Sequence, residues 1–295
     1  MWSKLDSPDD GRTTTALCLP DVQVLALEGR DAAAFAQAQF TGDVQALADL
    51  HWQWSAWLTP KGRVVALFQL LRLDPERYWA IVRDMPAATL AQALGRFVFR
   101  SKVRLLPLDV PVSGVADAAP VTQAMALRHD DGGVDIALER DGTRALRIGP
   151  AGADRGRDAP DALAAWSLAD MAGGLPRLQD AAVEAYTPQM LGLDRLAAYS
   201  LKKGCYPGQE IVSRTHFLGQ AKRGLVRVEL LAPARIGERF VSDAGTAAEV
   251  VCSASAGTRR EALLVAALDP PAALWRDADG VDRATPLPLQ DSLLR

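Results

Sequence analysis

The residues able to do chemistry concentrate in one segment, Leu201-Lys202-Lys203-Gly204-Cys205-Tyr206-Pro207-Gly208-Gln209-Glu210. Two glycines and a proline within five residues call for a tight loop. Gln209 to Leu218 then has helical character, with Ile211 and Val212 facing inward, so Cys205 falls just before a helix N-terminus. Unpaired amide hydrogens and the helix dipole favour an anion there. Lys202, Lys203 and Arg214 add positive charge. All of these favour thiolate over thiol, which makes Cys205 the candidate reactive thiolate and Lys203 its stabilising partner. The same residue types also fit a small side chain in a structural turn with solvated lysines, and the segment alone leaves both readings open.

Other reactive residues are few. Cys18 and Cys252 lie in apolar, strand-like contexts and read as core residues, and His216 reads as a partly exposed helix histidine. The chain has three cysteines without a CxxC spacing and three histidines without HExxH. A disulfide framework, a zinc site built from cysteine pairs and any other metal centre are therefore not expected. Walker and GxGxxG loops are absent too. Trp52, Trp54 and Trp57 fit strand packing, or one of them could line a ring-binding cleft. Lys202, Lys203, Lys222, Arg223 and Arg227 form a basic cluster that could meet a polyanion or simply be a solvated face.

The elements that must position these residues alternate between short strands and helices. Val22 to Leu27 reads as a strand, and Asp31 to Phe40 as a helix that Asp31 could cap. His51 to Leu58, Arg63 to Leu73 and Tyr78 to Val82 read as an antiparallel meander turned at Thr59-Pro60-Lys61-Gly62 and Asp74-Pro75-Glu76-Arg77. Pro86 opens a helix with Leu90, Leu94, Phe97 and Val98 on one face, and Val103 to Leu108 is a strand. Short strands recur through residues 110–149, and an Ala-rich helix carries Leu163, Trp166 and Met171. From Gly224 the pattern is all β, as in a small barrel. Residues 1–15 are polar and acidic and read as a loose terminus.

Composition sets wider limits. With 295 residues, 49% of them hydrophobic, the chain can build two or three modest domains. A net charge of −3 gives no overall attraction to nucleic acid, although a local basic patch is compatible with it. No stretch of about 18 apolar residues occurs and the first residues do not read as a signal peptide, so no membrane partner and a cytoplasmic location are expected.

The segment Lys203-Gly204-Cys205-Tyr206-Pro207-Gly208-Gln209-Glu210 resembles the signature of the YgfZ family, Lys-Gly-Cys-aromatic-any-Gly-Gln-Glu, at every defined position. The resemblance extends to Gly29-Arg30-Asp31-Ala32, Gln39-Phe40-Thr41-Gly42-Asp43-Val44, Trp57-Leu58-Thr59-Pro60-Lys61-Gly62-Arg63, Ala172-Gly173-Gly174-Leu175-Pro176 and Tyr186-Thr187-Pro188-Gln189-Met190. It implies an α+β fold like that of the glycine-cleavage T-protein: a ring of small domains around a central opening, ending in a β barrel. The expected division is residues 1–110, with 180–220 packing back on them, then 111–180, then 221–295.

The resemblance further implies tetrahydrofolate or a derivative as cofactor, and iron–sulfur proteins, including tRNA-modifying enzymes, as clients. The Trp52, Trp54 and Trp57 rings, Lys202 and Arg223 become the candidate folate contacts, with Cys205 as the working residue. T-protein carries an acidic pair after its early hairpin, where this chain has Ala66 and Leu67, neither of which can move a proton. Near Ala172, where relatives carry Glu before Ala-Gly, no Glu is present. Aminomethyl transfer is therefore not expected. Two functions stay open: an accessory factor for iron–sulfur proteins, or a folate-dependent one-carbon transferase or demethylase.

Overall fold

A computed structural model describes residues 16–116, 123–219 and 221–295. The loose terminus read at residues 1–15 lies outside the described residues. The first sheet is fully antiparallel, in the order Trp52–Leu58, Val64–Asp74, Arg77–Val82, Gln23–Glu28, Arg104–Leu108. The turn after Trp52–Leu58 closes as the Thr59-Pro60-Lys61-Gly62 pattern predicts. Gly62 takes φ +70° and its amide donates to Thr59 O at 2.9 Å.

Side-chain alternation gives this sheet two buried faces. Leu25, Leu27, Trp57, Phe68, Leu70 and Tyr78 pack beneath the helices Ala32–Gln39 and Ala87–Gly95. Trp52, Trp54, Ala56, Leu67 and Ile81 face the other way, toward the rest of the chain. Asp31 does not cap its helix. Its Oδ2 instead accepts from the Lys102 amide at 2.6 Å, which ties the helix start to the strand Arg104–Leu108.

The second sheet runs Leu17–Cys18, Val112–Ala116, Arg144–Ile148, Val134–Ala137, Ala126–Arg128. Its edge strand thus comes from before the first sheet, so the chain crosses between the two sheets twice. Helix Pro160–Ala172 lies on it, with Pro at its start where the missing N–H is harmless. A Cβ on Gly114 would come within 2.7 Å of the Trp166 ring, so the close approach of helix to strand needs glycine there. The third sheet is a closed barrel in the order Arg223–Leu230, Arg259–Ala267, Ala247–Ala256, Arg239–Ser242, Trp275–Arg276, Asp282–Leu287. Phe240, Val250, Leu264 and Trp275 fill it.

One apolar core joins the three sheets. It takes Trp52, Trp54 and Leu67 from the first, Ile136 and Leu146 from the second, and Val251, Cys252 and Leu263 from the barrel. Two irregular segments complete it. Glu184 N donates to Val64 O, Val64 N to Tyr186 O, and Ser200 N to Thr41 O, so the chain between Leu175 and Tyr206 is laid along the first sheet. The C-terminal tail then returns from the barrel. Gln290 N donates to Ala172 O, Leu294 N to Leu138 O, and Trp54 Nε1 to Leu294 O at 2.9 Å.

Leu293 and Leu294 are buried in this shared core. Leu294→Ala should therefore lower unfolding free energy by about 2–5 kcal/mol, as for a core leucine. Chemical denaturation followed by tryptophan fluorescence reads this directly, and a change below about 0.5 kcal/mol would show that the tail is only a surface strap.

Candidate functional site

The signature loop is organised around a buried cation. At its start the Ser200 hydroxyl accepts from the amides of Lys202 at 3.2 Å and Lys203 at 3.3 Å. The Lys203 side chain then turns inward. Its Nζ donates to Phe40 O and Gly42 O, both at 2.6 Å, and lies 5.3 Å from the Tyr206 ring centroid. Burial pushes the Lys203 pKa down to about 8, with Asp43 pulling the other way. The expected pairing of Lys203 with the Cys205 thiolate is thus corrected: the ammonium faces the first sheet, while Cys205 is exposed.

The rest of the loop is fixed by backbone shape. Gly208 has φ +78°, and a Cβ on it would lie 2.6 Å from Thr59 O and 2.7 Å from Gly62 Cα. Gly62 in turn meets Ile211, whose Cβ would be 2.8 Å from a Cβ on that glycine. The signature glycine is therefore packed against the glycine of the early hairpin. Tyr206 is buried and its hydroxyl donates to Ser200 O at 3.3 Å, while Gln209 Nε2 donates to Lys203 O at 3.3 Å. Gly204 and Glu210 are exposed.

Helix Gln209–Leu218 starts after Gly208 with no side-chain cap, so its first amides carry no side-chain acceptor. Cys205, Pro60, Gln209, Glu210 and Ser213 line an open hollow of about 410 Å³ at this end. Of the other cysteines, Cys18 is half-buried, and Cys252 is buried with its thiol pushed up to about 12 by desolvation. His216 is exposed on the helix.

The candidate folate contacts do not gather as expected. Trp52 and Trp54 are buried edge-to-face, 5.7 Å between centroids, on the inner side of the first sheet. Trp57 lies on the opposite side, edge-on to Phe97 at 6.2 Å. Residues 52 and 54 share a face and residue 57 takes the other, as strand alternation requires. The basic cluster also disperses. Arg223 Nη2 donates to Val265 O and Arg227 pairs with the buried Glu261, which leaves Lys202 and Lys222 exposed.

Sequence reasoning missed a buried ionic group on that inner face. Arg83 Nη1 donates to Asp170 Oδ2 at 3.1 Å, and Arg144 Nη1 to Asp170 Oδ1 at 2.7 Å. Arg144 also donates to Glu139, and Arg83 Nη2 to Gln69 Oε1 at 3.2 Å. Desolvation lowers the Arg83 pKa. For Arg144 desolvation opposes the charge, but Asp170 and Glu139 hold its pKa above the ordinary value. Gln69 stands opposite Trp54 in the strand register, and the Arg83 guanidinium is 5.5 Å from the Trp54 ring centroid. Gln69 Nε2, Arg83 Nε and Trp52 Nε1 are buried donors without a partner. Leu67 shares this face, whereas Ala66 packs under the helices. Two charged residues from separate sheets meet on Asp170, a pairing with no local sequence signal.

Comparison with known proteins places this geometry. No family model matches the chain. A tRNA-modifying protein YgfZ of Klebsiella pneumoniae is 28% identical over 232 residues, covering 72% of this chain and 70% of the relative. A protein of the same name from Vibrio vulnificus is 27% identical over 225 residues, covering 71% and 68%. The chain is a relative of the YgfZ proteins. A Haemophilus influenzae protein without a functional name is 26% identical over 264 residues, covering 88% of this chain and 86% of its own. Among solved structures, the glycine cleavage system aminomethyltransferase T of Bartonella henselae matches with a TM-score of 0.69 at 14% identity, covering 92% of this chain and 84% of that one. The fold is thus the T-protein fold, on a chain whose signature loop resembles that of YgfZ.

Two measurements check the loop. The unfolded chain keeps the Lys203 proton up to about pH 10.5, whereas the folded state releases it near 8. The unfolded state therefore binds more protons in that window, and stability rises with pH across it. Relative to Lys203→Met, the wild type should gain stability between pH 8 and about 10.5, read from paired urea midpoints. Alkylation followed by mass spectrometry should label Cys205 first and Cys252 only after unfolding; equal rates would show that the barrel does not seal Cys252.

Proposed function

We propose that this protein is a folate-dependent accessory factor that maintains iron–sulfur enzymes, including those that modify tRNA, through the thiol of Cys205. It would act in the cytoplasm, and among the described residues no helix is long and apolar enough to cross a membrane. The observation that carries the reading is the Cys205 loop itself. An exposed thiol is held on a bend that Lys203, Tyr206 and Gly208 fasten to the first sheet, beside an uncapped helix start. The YgfZ relatives are named for tRNA modification, which supports the client class. One exposed cysteine supplies one of the about four ligands a cluster usually takes, so the thiol suits a transient exchange or repair contact better than permanent cluster storage.

Tetrahydrofolate fits the inner face of the first sheet by the chemistry of its donors. Gln69 Nε2, Arg83 Nε and Trp52 Nε1 are buried without acceptors, and a pterin ring presents acceptor nitrogens and an oxygen. Gln69 and Arg83 would hold that edge and Trp54 would form a wall, a different set from the exposed Lys202 and the occupied Arg223. When bound, the folate would supply a one-carbon carrier. Leu67 excludes water on this face and offers no proton. That favours the accessory role over the alternative, a one-carbon transferase or demethylase, and it removes the aminomethyl chemistry of T-protein.

Calorimetric titration with tetrahydrofolate, its formyl form and its polyglutamate should show binding, weakened by about 1–3 kcal/mol in Gln69→Leu. Cys205→Ser should fold and bind folate equally well, yet fail to restore iron–sulfur enzyme activity in cells lacking the protein. Full rescue would make the loop purely structural. A reconstituted glycine-cleavage assay should yield no methylene-tetrahydrofolate, and turnover there would overturn the argument from Leu67.

A further inference from the structure

The stretch from Pro86 to Leu108 contains neither Asp nor Glu and carries Arg96, Arg100, Lys102 and Arg104, in a chain of net charge −3. It forms helix Ala87–Gly95, a tight turn, and strand Arg104–Leu108. The turn holds its shape through backbone bonds from Phe97 N to Leu94 O, Val98 N to Gly95 O and Ser101 N to Val98 O.

At its tip Phe99 has φ +37°, a left-handed conformation that is costly for a side chain of this size. Packing does not repay that cost, because the Phe99 ring is 88% exposed. The Arg100 guanidinium lies 5.3 Å from its centroid, which makes a stacked cation–aromatic pair standing in solvent. Phe97 beside it is 46% exposed and rests edge-on against Trp57.

The neighbouring carboxylates leave the cations available. Glu28 pairs with Arg104, and Asp31 is engaged by Arg30 and the Lys102 amide. Arg96, Arg100 and Lys102 pair with no carboxylate among the described residues, and all three are exposed. The patch connects to the signature loop through the core of the first sheet. Trp57 bridges Phe40, and Phe40 O accepts from Lys203. Lys61 and Lys202 are exposed on the same two elements, the early hairpin and the loop.

We propose that this turn is a docking platform for a single-stranded segment of nucleic acid, with Phe99 stacking on an unpaired base and Arg96, Arg100 and Lys102 meeting phosphates. A flat ring with a guanidinium against it matches the stacking mode of single-strand recognition. Three free cations within seven residues match a run of phosphates. No exposed Leu, Ile or Val accompanies the two phenylalanines in the turn, which leaves little apolar surface for a membrane or an apolar protein groove. The acidic whole-chain charge, which argues against nucleic-acid binding on average, does not describe this surface.

The test is fluorescence anisotropy of a labelled oligouridylate, roughly 12 nucleotides long, with the full chain across a salt series. Binding should weaken with salt at a log–log slope of about −2, for three phosphates at about 0.7 each. Arg100→Gln should lower that slope by about 0.7. Phe99→Gly removes the ring and suits the positive φ, so it should raise the melting temperature while weakening binding about tenfold. Cys205→Ser should bind as the wild type does, which separates this platform from the thiol's role. No binding at low salt, or unchanged affinity in Phe99→Gly, would overturn the proposal. So would stronger association with phosphatidylserine vesicles that the same substitution abolishes.

Discussion

The Lys203 ammonium, buried against the carbonyls of Phe40 and Gly42, is the contact on which the signature loop depends. Those carbonyls follow the first helix, where the chain leaves regular structure and its acceptors lack helical partners. A buried cation with two acceptors satisfies both needs at once: the carbonyls gain a donor, and the ammonium gains oxygen neighbours in place of water. The loop is thereby pulled onto the edge of the first sheet. Cys205, two residues on, is left exposed. Gly208 completes the constraint, since the hairpin backbone occupies the space a Cβ would need.

A second constraint lies on the inner face of the same sheet. Asp170 sits between Arg83 and Arg144, so one carboxylate from the helix Pro160–Ala172 joins the first sheet to the second. With Glu139 the two guanidinium groups and two carboxylates balance, and what remains is the unpartnered donors Arg83 Nε and Gln69 Nε2. Around it the tail residues Leu293 and Leu294 and the tryptophans exclude water, which makes each unpartnered donor costly and so a strong attractor for a ligand acceptor. The thiol and the donor-rich face are therefore built on the same sheet, one at its outer edge and the other on its inner side.

Several elements were legible because their signals are local. The Thr59-Pro60-Lys61-Gly62 turn, the helix opened by Pro86 and the all-β terminal segment follow from proline geometry, glycine φ and two-residue alternation. Strand pairing at long range was not legible. Leu17–Cys18 adds to the second sheet rather than the first, and the tail returns to Trp54 across 240 positions of sequence. A local pattern says that a residue is buried, but it does not say what it is buried against.

By itself the sequence determined which groups can react: one cysteine in a glycine- and lysine-flanked bend, and hydrophobic side chains at Ala66 and Leu67 in the early hairpin. These are matters of residue type and spacing, which folding cannot change. The direction of each charged side chain was decided only in three dimensions. Lys203 turns to carbonyls from the first helix's end, Arg223 to a barrel strand and Arg83 to a helix from another sheet, while Arg100 stays in solvent against Phe99. A long cationic side chain can reach several partners from one backbone position. Which it meets depends on the desolvation cost and the acceptors that distant segments bring to it.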